Sequence, residues 1–401
     1  MSDPSTTPVI LAAKRTPIGK FFGALSTTPA TKLGSYAIKA AMDATPGLKA
    51  DEVDECIMGH VIQAGCGQNP ARQAGLGAGL PETLNAITIN KVCGSGLASV
   101  MMAAQSIRAG DNALVIAGGQ ENMTMAPHLA HVRAGVKYGN TQFIDSMAND
   151  GLACAFEGCP MGDHAEWTAN EFGITREEQD AFAAESQQKA EKAQNEGWFD
   201  EEIVPLTGEQ IGNRKDPSPA GGCSKDEGIR PGTTKESLAA LRPAFRKDGV
   251  VTAGNASTIN DGAAACVVAS LEQAERMGAK PLATIRAYHT SGVHPHALFT
   301  APAYAVPTVI EKAGLTLGDI DLFELNEAFA SQSLHNINHV DIPHEKVNVA
   351  GGAIALGHPI GASGTRVLVT LLHNMVRLDA KRGVAALCLG GGNAVAMVVE
   401  R

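Results

Sequence analysis

The same succession of segments occurs twice in this 401-residue chain. In the first half, a glycine-containing turn at Cys93 leads through a helical pattern to the apolar run 112–119, which ends in a glycine pair. In the second half, the turn 357–364 leads in the same order to the apolar run 384–392 and its three glycines. A repeat over so long a distance indicates duplicated domains rather than a solenoid. We therefore expect two similar domains whose glycine-rich turns converge on one shared site.

Short apolar runs alternate with helical patterns over residues 8–120, which predicts parallel βαβ units and a layered α/β sheet. Strand patterns are sparse in residues 121–249, where one helix is predicted over 177–195 behind a capping box formed by Thr175 and Glu178. Three domains are therefore predicted: an amino-terminal domain of residues 1–120 plus 250–272, an inserted loop domain of residues 121–249, and a carboxy-terminal domain of residues 273–401.

Charge and hydropathy argue against several classes of function. The formal net charge is −10 and there is no block of Lys or Arg, so no nucleic-acid partner is expected. No apolar run reaches about 18 residues, so we expect no membrane span, and the polar stretch 1–7 lacks the layout of a signal peptide. Eight cysteines without a secretory signal suit a reduced, cytoplasmic protein. The stretch 213–232, rich in Pro, Gly and charge, is predicted to be a loop.

Cys93 lies where a predicted strand, 86–89, gives way to a predicted helix with apolar residues at helical spacing. We expect Gly94 and Gly96 to let the backbone turn sharply there. A thiol at a helix amino terminus faces unpaired N–H groups and the positive end of the helix dipole, which favour the nucleophilic thiolate. On this stretch alone, a nucleophile and a buried structural cysteine are equally consistent with the pattern.

Three more residues are candidates for chemistry. His358 occupies the position in the second half that Cys93 occupies in the first, which favours a functional role over a structural one. Cys388 ends an apolar strand before three glycines, whose N–H groups could bind an oxyanion, although a core cysteine is the alternative. Asn326 precedes a glutamate at the end of the predicted strand 322–325, where a site role competes with a helix N-cap.

The reaction suggested by these residue types is acyl transfer. One thiolate attacks a carbonyl, the histidine moves protons, and a second thiol as acid or base points to carbon–carbon bond chemistry next to a carbonyl. Cys154, Cys159 and His164 could suggest a metal, but their C-x4-C spacing fits no common zinc module, so we predict no metal site. The remaining cysteines are predicted to be inert: Cys56, Cys66, Cys223 and Cys266.

Over essentially its full length the chain resembles the thiolase family. The matching segments, in the family's order, are 9–19, 92–96, 326–329, 351–359 and 388–392. The resemblance implies a duplicated five-layer α-β-α-β-α arrangement of α/β domains with an inserted loop domain. It implies an acetyl-CoA C-acetyltransferase, which condenses acetyl-CoA to acetoacetyl-CoA and cleaves 3-ketoacyl-CoA with CoA through an acyl-cysteine. A 3-ketoacyl-CoA thiolase of longer-chain fatty-acid degradation is the alternative within the family.

The same resemblance implies the role of each catalytic residue. Cys93 would be the acylated nucleophile, activated by His358, and Cys388 the acid or base at the α-carbon. Asn326 would hold a water that forms one oxyanion hole with His358, and the N–H groups of Cys93 and Gly390 would form the other. No metal or redox cofactor is implied, because coenzyme A is part of the substrate.

The residues that match substrate-binding positions of the family fall into three groups. The pantetheine tunnel would be lined by Phe245, Ala253, Ser257, Ala328 and Phe329, with Ser257 as the direct hydrogen-bond partner. Leu152 and Met161 match acyl-pocket positions. Candidates for the nucleotide phosphates are Arg230 above all, then Lys225, Arg242, Arg246 and Lys247. The chain departs from the family at Pro160, where a histidine is common, and at Leu298, within a turn that is often glycine-rich; both stretches shape the acyl pocket.

The stretch 127–137 resembles the family's tetramerisation loop, which implies a homotetramer built as a dimer of dimers. Two other functions fit the sequence less well. A ketoacyl synthase shares the fold, but it pairs a cysteine with two histidines or with His and Asn, and Cys388 and the Asn326 segment disfavour it. A thiolase-like acyl-CoA- or lipid-binding protein without catalysis would be expected to lack one of the four chemical residues.

Overall fold

The strands belong to one large mixed sheet and one small hairpin in this computed structural model, which describes residues 3–216 and 219–401. Their bounds are β1 Pro8–Arg15, β2 Gly19–Lys20, β3 Glu55–Gly59, β4 Asn85–Ile89, β5 Leu114–Asn122, β6 His128–Leu129, β7 Ile144–Asp145, β8 Asn260–Ser270, β9 Ala283–Gly292, β10 Leu322–Leu325, β11 Arg382–Leu389 and β12 Asn393–Glu400.

The α-helices are α1 Ala30–Asp43, α2 Pro70–Gly77, α3 Ser95–Ala109, α4 Met161–Glu171, α5 Arg176–Asn195, α6 Lys235–Ala239, α7 Leu271–Met277, α8 Ala301–Lys312, α9 Ala330–Val340, α10 Ala353–Leu356 and α11 Ile360–Arg377. Short 3₁₀ turns occur at Pro4–Thr6, Ala50–Glu52, Pro295–Thr300, Leu317–Asp319 and His344–Lys346, and a π-helical turn at Met147–Leu152. No helix of the described residues is both long and apolar enough to cross a membrane.

Strand order confirms the predicted duplication. The amino-terminal half has the order β4-β3-β5-β8-β1, with β3 parallel to both its neighbours and β8 antiparallel to both of its own. The carboxy-terminal half repeats this order as β10-β11-β12-β9, and Val347 bridges β10 in parallel where the equivalent of β4 would lie. The two halves join edge to edge where Val9 and Ile10 pair with Thr284 and Ala283.

The two central helices, α3 and α11, lie side by side between the two half-sheets, and other helices cover the outer faces. The apolar residues predicted to form one face of α3 are all buried there, namely Leu97, Val100, Met101, Ala104 and Ile107. Burying one Leu or Ile side chain stabilises a fold by about 1.5–3 kcal/mol. Helix, sheet, paired helices, sheet and helix make the five layers that the resemblance implied.

Glycines set the spacing of the central helices. A Cβ on Gly96 would lie 2.6 Å from the Thr365 hydroxyl, and a Cβ on Gly364 would lie 2.2 Å from the backbone nitrogen of Leu97. Because no side chain fits at these contacts, the two helices meet backbone to backbone near their amino termini. The residues that immediately precede the two helices are therefore brought together.

The excursion between β5 and β8 contains α4, α5 and α6, of which only α5 was predicted. The capping box before α5 is confirmed, with the Glu178 N–H donating to Thr175 Oγ1 at 3.2 Å and the Thr175 N–H donating to Glu178 Oε2 at 2.7 Å. The predicted loop 213–232 contains no helix and no strand beyond one isolated bridge in its described part, and its residues 217 and 218 lie outside the described residues.

The limits of the three domains remain a prediction. β5 continues to Asn122, two residues beyond the predicted start of the insertion, and β8 begins only at Asn260.

A buried ion-pair cluster connects the excursion to β1, because Arg15 contacts Asp226 at 2.7 and 2.9 Å and Glu202 at 2.6 Å. Truncating one partner of such a buried pair costs about 3–5 kcal/mol.

Candidate active site

Cys93 and His358 hold matching positions in the duplicated fold. Each lies two residues before the first residue of a central helix, α3 for the cysteine and α11 for the histidine. Both line one cavity of about 780 Å³, and Cys388 and Gly390 reach the same cavity from the end of β11. The convergence expected from the repeat is present in the structure.

The sharp turn before α3 does not depend on a glycine conformation, contrary to our expectation. The positive φ angle, 48°, falls on Val92, a β-branched residue for which this conformation costs about 1–3 kcal/mol. Ser95 holds the strained turn, because its hydroxyl accepts the Lys91 N–H at 2.8 Å and donates to the Val92 carbonyl at 2.6 Å. Strain is thus stored one residue before Cys93.

Gly94 serves a close approach instead. Its φ is −86°, and a Cβ at this position would lie 2.5 Å from Leu389 Cδ2 and 2.9 Å from Val395 Cγ2. The turn that carries Cys93 therefore rests directly on the strand that carries Cys388. A glycine at this position is what lets the two sulfurs share one cavity.

The surroundings of Cys93 shift the pKa of its thiol in two opposite directions. Burial raises its pKa to about 11, although the N–H of Gly390 and the residue's own N–H lie at the sulfur and favour the thiolate. Backbone N–H groups favour the thiolate as the helix terminus predicted, but desolvation outweighs them and the pKa is raised overall. The same two N–H groups are the pair that the family resemblance places in an oxyanion hole.

Hydrogen bonds to His358 define which ring nitrogen carries the proton. Its Nδ1 lies 2.6 Å from Ser363 Oγ, and that hydroxyl donates its own proton to the Pro359 carbonyl at 2.9 Å. Ser363 therefore accepts from Nδ1–H, and Nε2 is left as the unprotonated nitrogen. Nε2 is buried and has no protein hydrogen-bond partner among the described residues. Burial, and then the charge of Arg366, lower the pKa of His358 to about 3, so the ring is a neutral base.

Replacing Ser363 by alanine is expected to lower kcat about tenfold, because Nδ1 loses the acceptor that fixes its tautomer and orientation. Tenfold corresponds to about 1.4 kcal/mol, within the usual net range for one neutral hydrogen bond. Steady-state cleavage of acetoacetyl-CoA measures the effect. Ser99→Ala is the matched control, since the one proton of its buried hydroxyl is shared between the Gly96 and Gly118 carbonyls on α3 and β5, at 2.6 and 2.7 Å. Equal losses in the two variants would show that Ser363 acts through general packing.

Alkylation of Cys93 by iodoacetamide is expected to accelerate about tenfold per pH unit between about pH 6 and 9. This slope follows from a thiol pKa of about 11, because the reactive thiolate fraction rises tenfold per unit below the pKa. Peptide mapping after timed alkylation gives the rate at this one cysteine. A rate that stays constant from pH 6 to 8 would indicate a thiolate–imidazolium pair and would contradict the neutral pair described here.

Cys388 and Asn326 are both 1% exposed. Burial, followed by the nearby Cys93 sulfur, raises the pKa of Cys388 well above that of an ordinary thiol. The Asn326 N–H donates to the Ala386 carbonyl at 3.0 Å, but its side-chain carboxamide has no protein partner among the described residues. The N-cap interpretation of Asn326 is wrong, because α9 begins at Ala330 and Phe329 occupies the cap. A buried carboxamide without a protein partner is suited to holding a water.

The glutamate after Asn326 positions the segment that leads to His358. Glu327 accepts hydrogen bonds from the Ser186 hydroxyl at 2.7 Å, the Asn348 side chain at 2.8 Å and the Ile354 N–H at 3.1 Å. Asn260 completes the support by accepting the His358 N–H at 2.9 Å. Sequence reasoning did not assign these supporting roles, and the only signal in the sequence was that Glu327 directly follows Asn326.

Lys225, Arg242, Arg246 and Lys247, the other candidates for the nucleotide phosphates, do not line the cavity, and Arg246 pairs with Asp163 at 3.0 Å. The structure brings the other residues predicted for substrate binding to the cavity wall. They are Leu152, Met161, Arg230, Phe245, Ala253, Ser257, Ala328 and Phe329. Three aromatic rings form a continuous apolar surface, with centroids 6.1 Å apart for Phe245 and Phe329 and 5.2 Å apart for Phe329 and Phe299. The two departures from the family pattern, Pro160 and Leu298, lie on the same wall.

This fold and this set of side chains define the class of the chain. A family model described as "Thiolase, N-terminal domain" matches residues 8–272, and one described as "Thiolase, C-terminal domain" matches residues 279–401. The chain belongs to the thiolase family.

Relatives within the family carry a more specific name. Proteins named acetyl-CoA acetyltransferase from Cupriavidus necator and Pseudomonas aeruginosa are each 52% identical over 394 residues, covering 98% of this chain and 99% of the relative. A protein from Staphylococcus aureus named probable acetyl-CoA acyltransferase is 51% identical over 394 residues, covering 98% of both chains. The crystal structure of the Bacillus anthracis acetyl-CoA acetyltransferase superimposes with a TM-score of 0.94 at 42% identity, covering 98% of each chain.

Proposed function

We propose that this chain is an acetyl-CoA C-acetyltransferase that condenses two acetyl-CoA molecules and, in reverse, cleaves 3-ketoacyl-CoA with CoA. The observation that carries the proposal is the convergence of Cys93, His358 and Cys388 on one cavity. The names of full-length relatives at 51–52% identity support it independently. Coenzyme A enters as substrate and product, and the residues used here need no metal or redox group.

In the first half-reaction, His358 Nε2 takes the Cys93 proton as the sulfur attacks the thioester carbonyl. The bond between Cys93 and the acetyl group forms, the bond to CoA sulfur breaks, and Cys388 supplies the proton that the departing CoA thiolate needs. The N–H groups of Cys93 and Gly390, which lie at the Cys93 sulfur, are placed to receive the oxyanion. One such donor is typically worth about 2.7–4 kcal/mol of barrier.

In the second half-reaction, the Cys388 thiolate removes an α-proton from the second acetyl-CoA. The resulting enolate oxygen is held by His358, now protonated at Nε2, and by a water on the Asn326 carboxamide. The enolate carbon attacks the acetyl group on Cys93, and the departing Cys93 thiolate recovers its proton from His358. Both cysteines and the histidine end in their starting states, so the cycle balances. The high pKa of Cys388 makes its thiolate a strong base at that step.

Loss of the acetoacetyl-CoA absorbance on addition of CoA tests the proposal directly. We expect CoA-dependent cleavage, with short 3-ketoacyl substrates preferred over long ones. A rate that rises with acyl length would favour the longer-chain thiolase instead. Binding of acyl-CoA without cleavage would contradict both assignments and indicate a binding protein.

We also infer a cytoplasmic homotetramer, assembled as a dimer of dimers. The hairpin β6–β7, within the predicted tetramerisation stretch and its continuation, exposes Tyr138 at 99% and Phe143 at 70%. β4 ends the sheet with Ile87 40% exposed, so an unpaired strand edge is available to a second copy. The eight cysteines are all free thiols, which suits a reducing compartment.

A further inference from the structure

A cluster of side chains that could bind a metal lies beside the part of the cavity that the resemblance assigns to the acyl group. Glu157, Cys159 and His164 each offer one ligand atom, and these atoms all lie within 4.8 Å of one another. The cluster differs from the sequence candidates Cys154, Cys159 and His164, because Glu157 takes the place of Cys154. The residues between and beside the ligands, Gly158 and Pro160, line the substrate cavity.

The His164 ring is oriented as a metal ligand would be. Its Nδ1 lies 3.2 Å from the His296 carbonyl and must donate to it, so Nε2 is the unprotonated ring nitrogen. The Cys159 thiol donates to that Nε2 at 3.4 Å, and a bound ion would take the place of the thiol proton between the two atoms. In a tetrahedral zinc site, with Zn–S of about 2.3 Å and Zn–N of about 2.0 Å, the two ligand atoms are about 3.5 Å apart. A backbone carbonyl on the second ring nitrogen is the usual orienting contact of ligating histidines.

The third side chain is held in place as well. The Glu157 carboxylate lies 4.0 Å from His164 Nδ1, the ring nitrogen that faces the His296 carbonyl, and His296 Nδ1 contacts its two oxygens at 2.8 and 3.0 Å. The histidine contact orients the carboxylate from outside the cluster, as second-sphere groups do in metal sites. His164 is buried, Cys159 half-buried and Glu157 exposed, so an ion has a route from solvent.

We propose that Glu157, Cys159 and His164 bind one Zn²⁺ ion, with water as the fourth ligand. Cysteine sulfur, histidine nitrogen and carboxylate oxygen form a donor set that zinc accepts. On binding, the Cys159 thiol loses its proton to solvent and a Zn–S bond forms, with no change of oxidation state. His296 belongs to the same turn as Leu298, and both this turn and the segment of Gly158 and Pro160 line the cavity. The ion would therefore fix two segments of the cavity wall at once.

Cobalt(II) is the probe for this site, since it replaces zinc and gives a charge-transfer band when bound to a thiolate. We would measure binding by equilibrium dialysis and absorbance in the full-length Cys93→Ala protein, which removes the catalytic thiol as a competing ligand. The expected result is one Co²⁺ per chain with a thiolate band. Cys159→Ser in this background should abolish the band, whereas Cys154→Ser should leave it unchanged.

Glu157→Gln, at an exposed position, supplies a test that does not depend on a buried substitution. It should keep the thiolate band but weaken Co²⁺ binding at least tenfold, and added Zn²⁺ should displace the cobalt. A thiolate band that survives Cys159→Ser, or the absence of stoichiometric binding in the Cys93→Ala protein, would overturn the proposal. Neither readout depends on enzymatic activity, so the proposed function and the metal site can fail separately.

Discussion

Replacing Cys93 by alanine is expected to abolish covalent acetylation by acetyl-CoA and to lower the rate of acetoacetyl-CoA cleavage by about four orders of magnitude or more. Removing the nucleophile of an acyl-transfer site costs this much because no other group can form the covalent intermediate. Intact-protein mass after incubation with acetyl-CoA measures the first effect, and the absorbance assay measures the second.

The matched control is Cys266→Ala, because it removes a cysteine that lies buried within β8 and away from the cavity lining. The Cys266→Ala protein should be acetylated to the same extent as the protein without a substitution. An acetyl group still retained by the Cys93→Ala protein would show that another residue carries the acyl group and would remove the basis of the proposed cycle.

The second large effect is expected from Cys388→Ala, which should keep the acetylation of Cys93 but lose condensation by about 10²–10⁴-fold. The α-proton of acetyl-CoA then has no base within the cavity, and general acid–base catalysis is typically worth this factor. Acetylation loses only the proton that Cys388 gives to the departing CoA thiolate, which solvent can supply because a thiolate is a stable leaving group. It keeps Cys93, His358 and the Gly390 N–H. Single-turnover acetylation and steady-state condensation, measured on the same preparation, separate the two steps.

Acetylation and condensation should respond differently to the loss of Cys388. Equal losses of acetylation and condensation would contradict a distinct role for Cys388. Circular dichroism would exclude misfolding as the cause, and Cys266→Ala again serves as the control for removing a buried thiol.

The sequence was sufficient for most of the fold. The apolar spacing after Cys93 predicted the buried face of α3, and the second glycine-rich turn predicted an equivalent helix at α11. The excursion between β5 and β8 was predicted less well. Its helix α4 is short and has a low overall hydrophobicity, so its packing against α9 and the turn 295–300 gives no clear periodic signal.

The identity of the site residues could be predicted, but their physical state could not. Motif order placed Cys93, His358 and Cys388 together, whereas the thiol pKa depends on burial by segments far away in the chain. The strain on Val92 was equally hidden, because neighbouring glycines offered a simpler explanation of the turn. The role of these glycines is seen only in contacts such as that of Gly94 with Leu389.

The proposed zinc cluster also depends on contacts that the sequence does not reveal. The C-x4-C spacing of Cys154 and Cys159 fits no common zinc module, and it carries no information about Glu157. The orientation of His164 is set by His296, more than a hundred residues further along the chain. A contact of that range leaves no local pattern in a single sequence.

The central claim is that Cys93 carries the acyl group while Cys388 moves the α-proton. Transfer of a labelled acetyl group tests it most directly: the protein is acetylated with labelled acetyl-CoA, freed of excess label, and mixed with unlabelled acetyl-CoA. We predict that the unmodified protein passes the label to acetoacetyl-CoA. The Cys388→Ala protein should retain it on Cys93 until CoA is added. Label appearing in acetoacetyl-CoA at the same rate with both proteins would contradict the account.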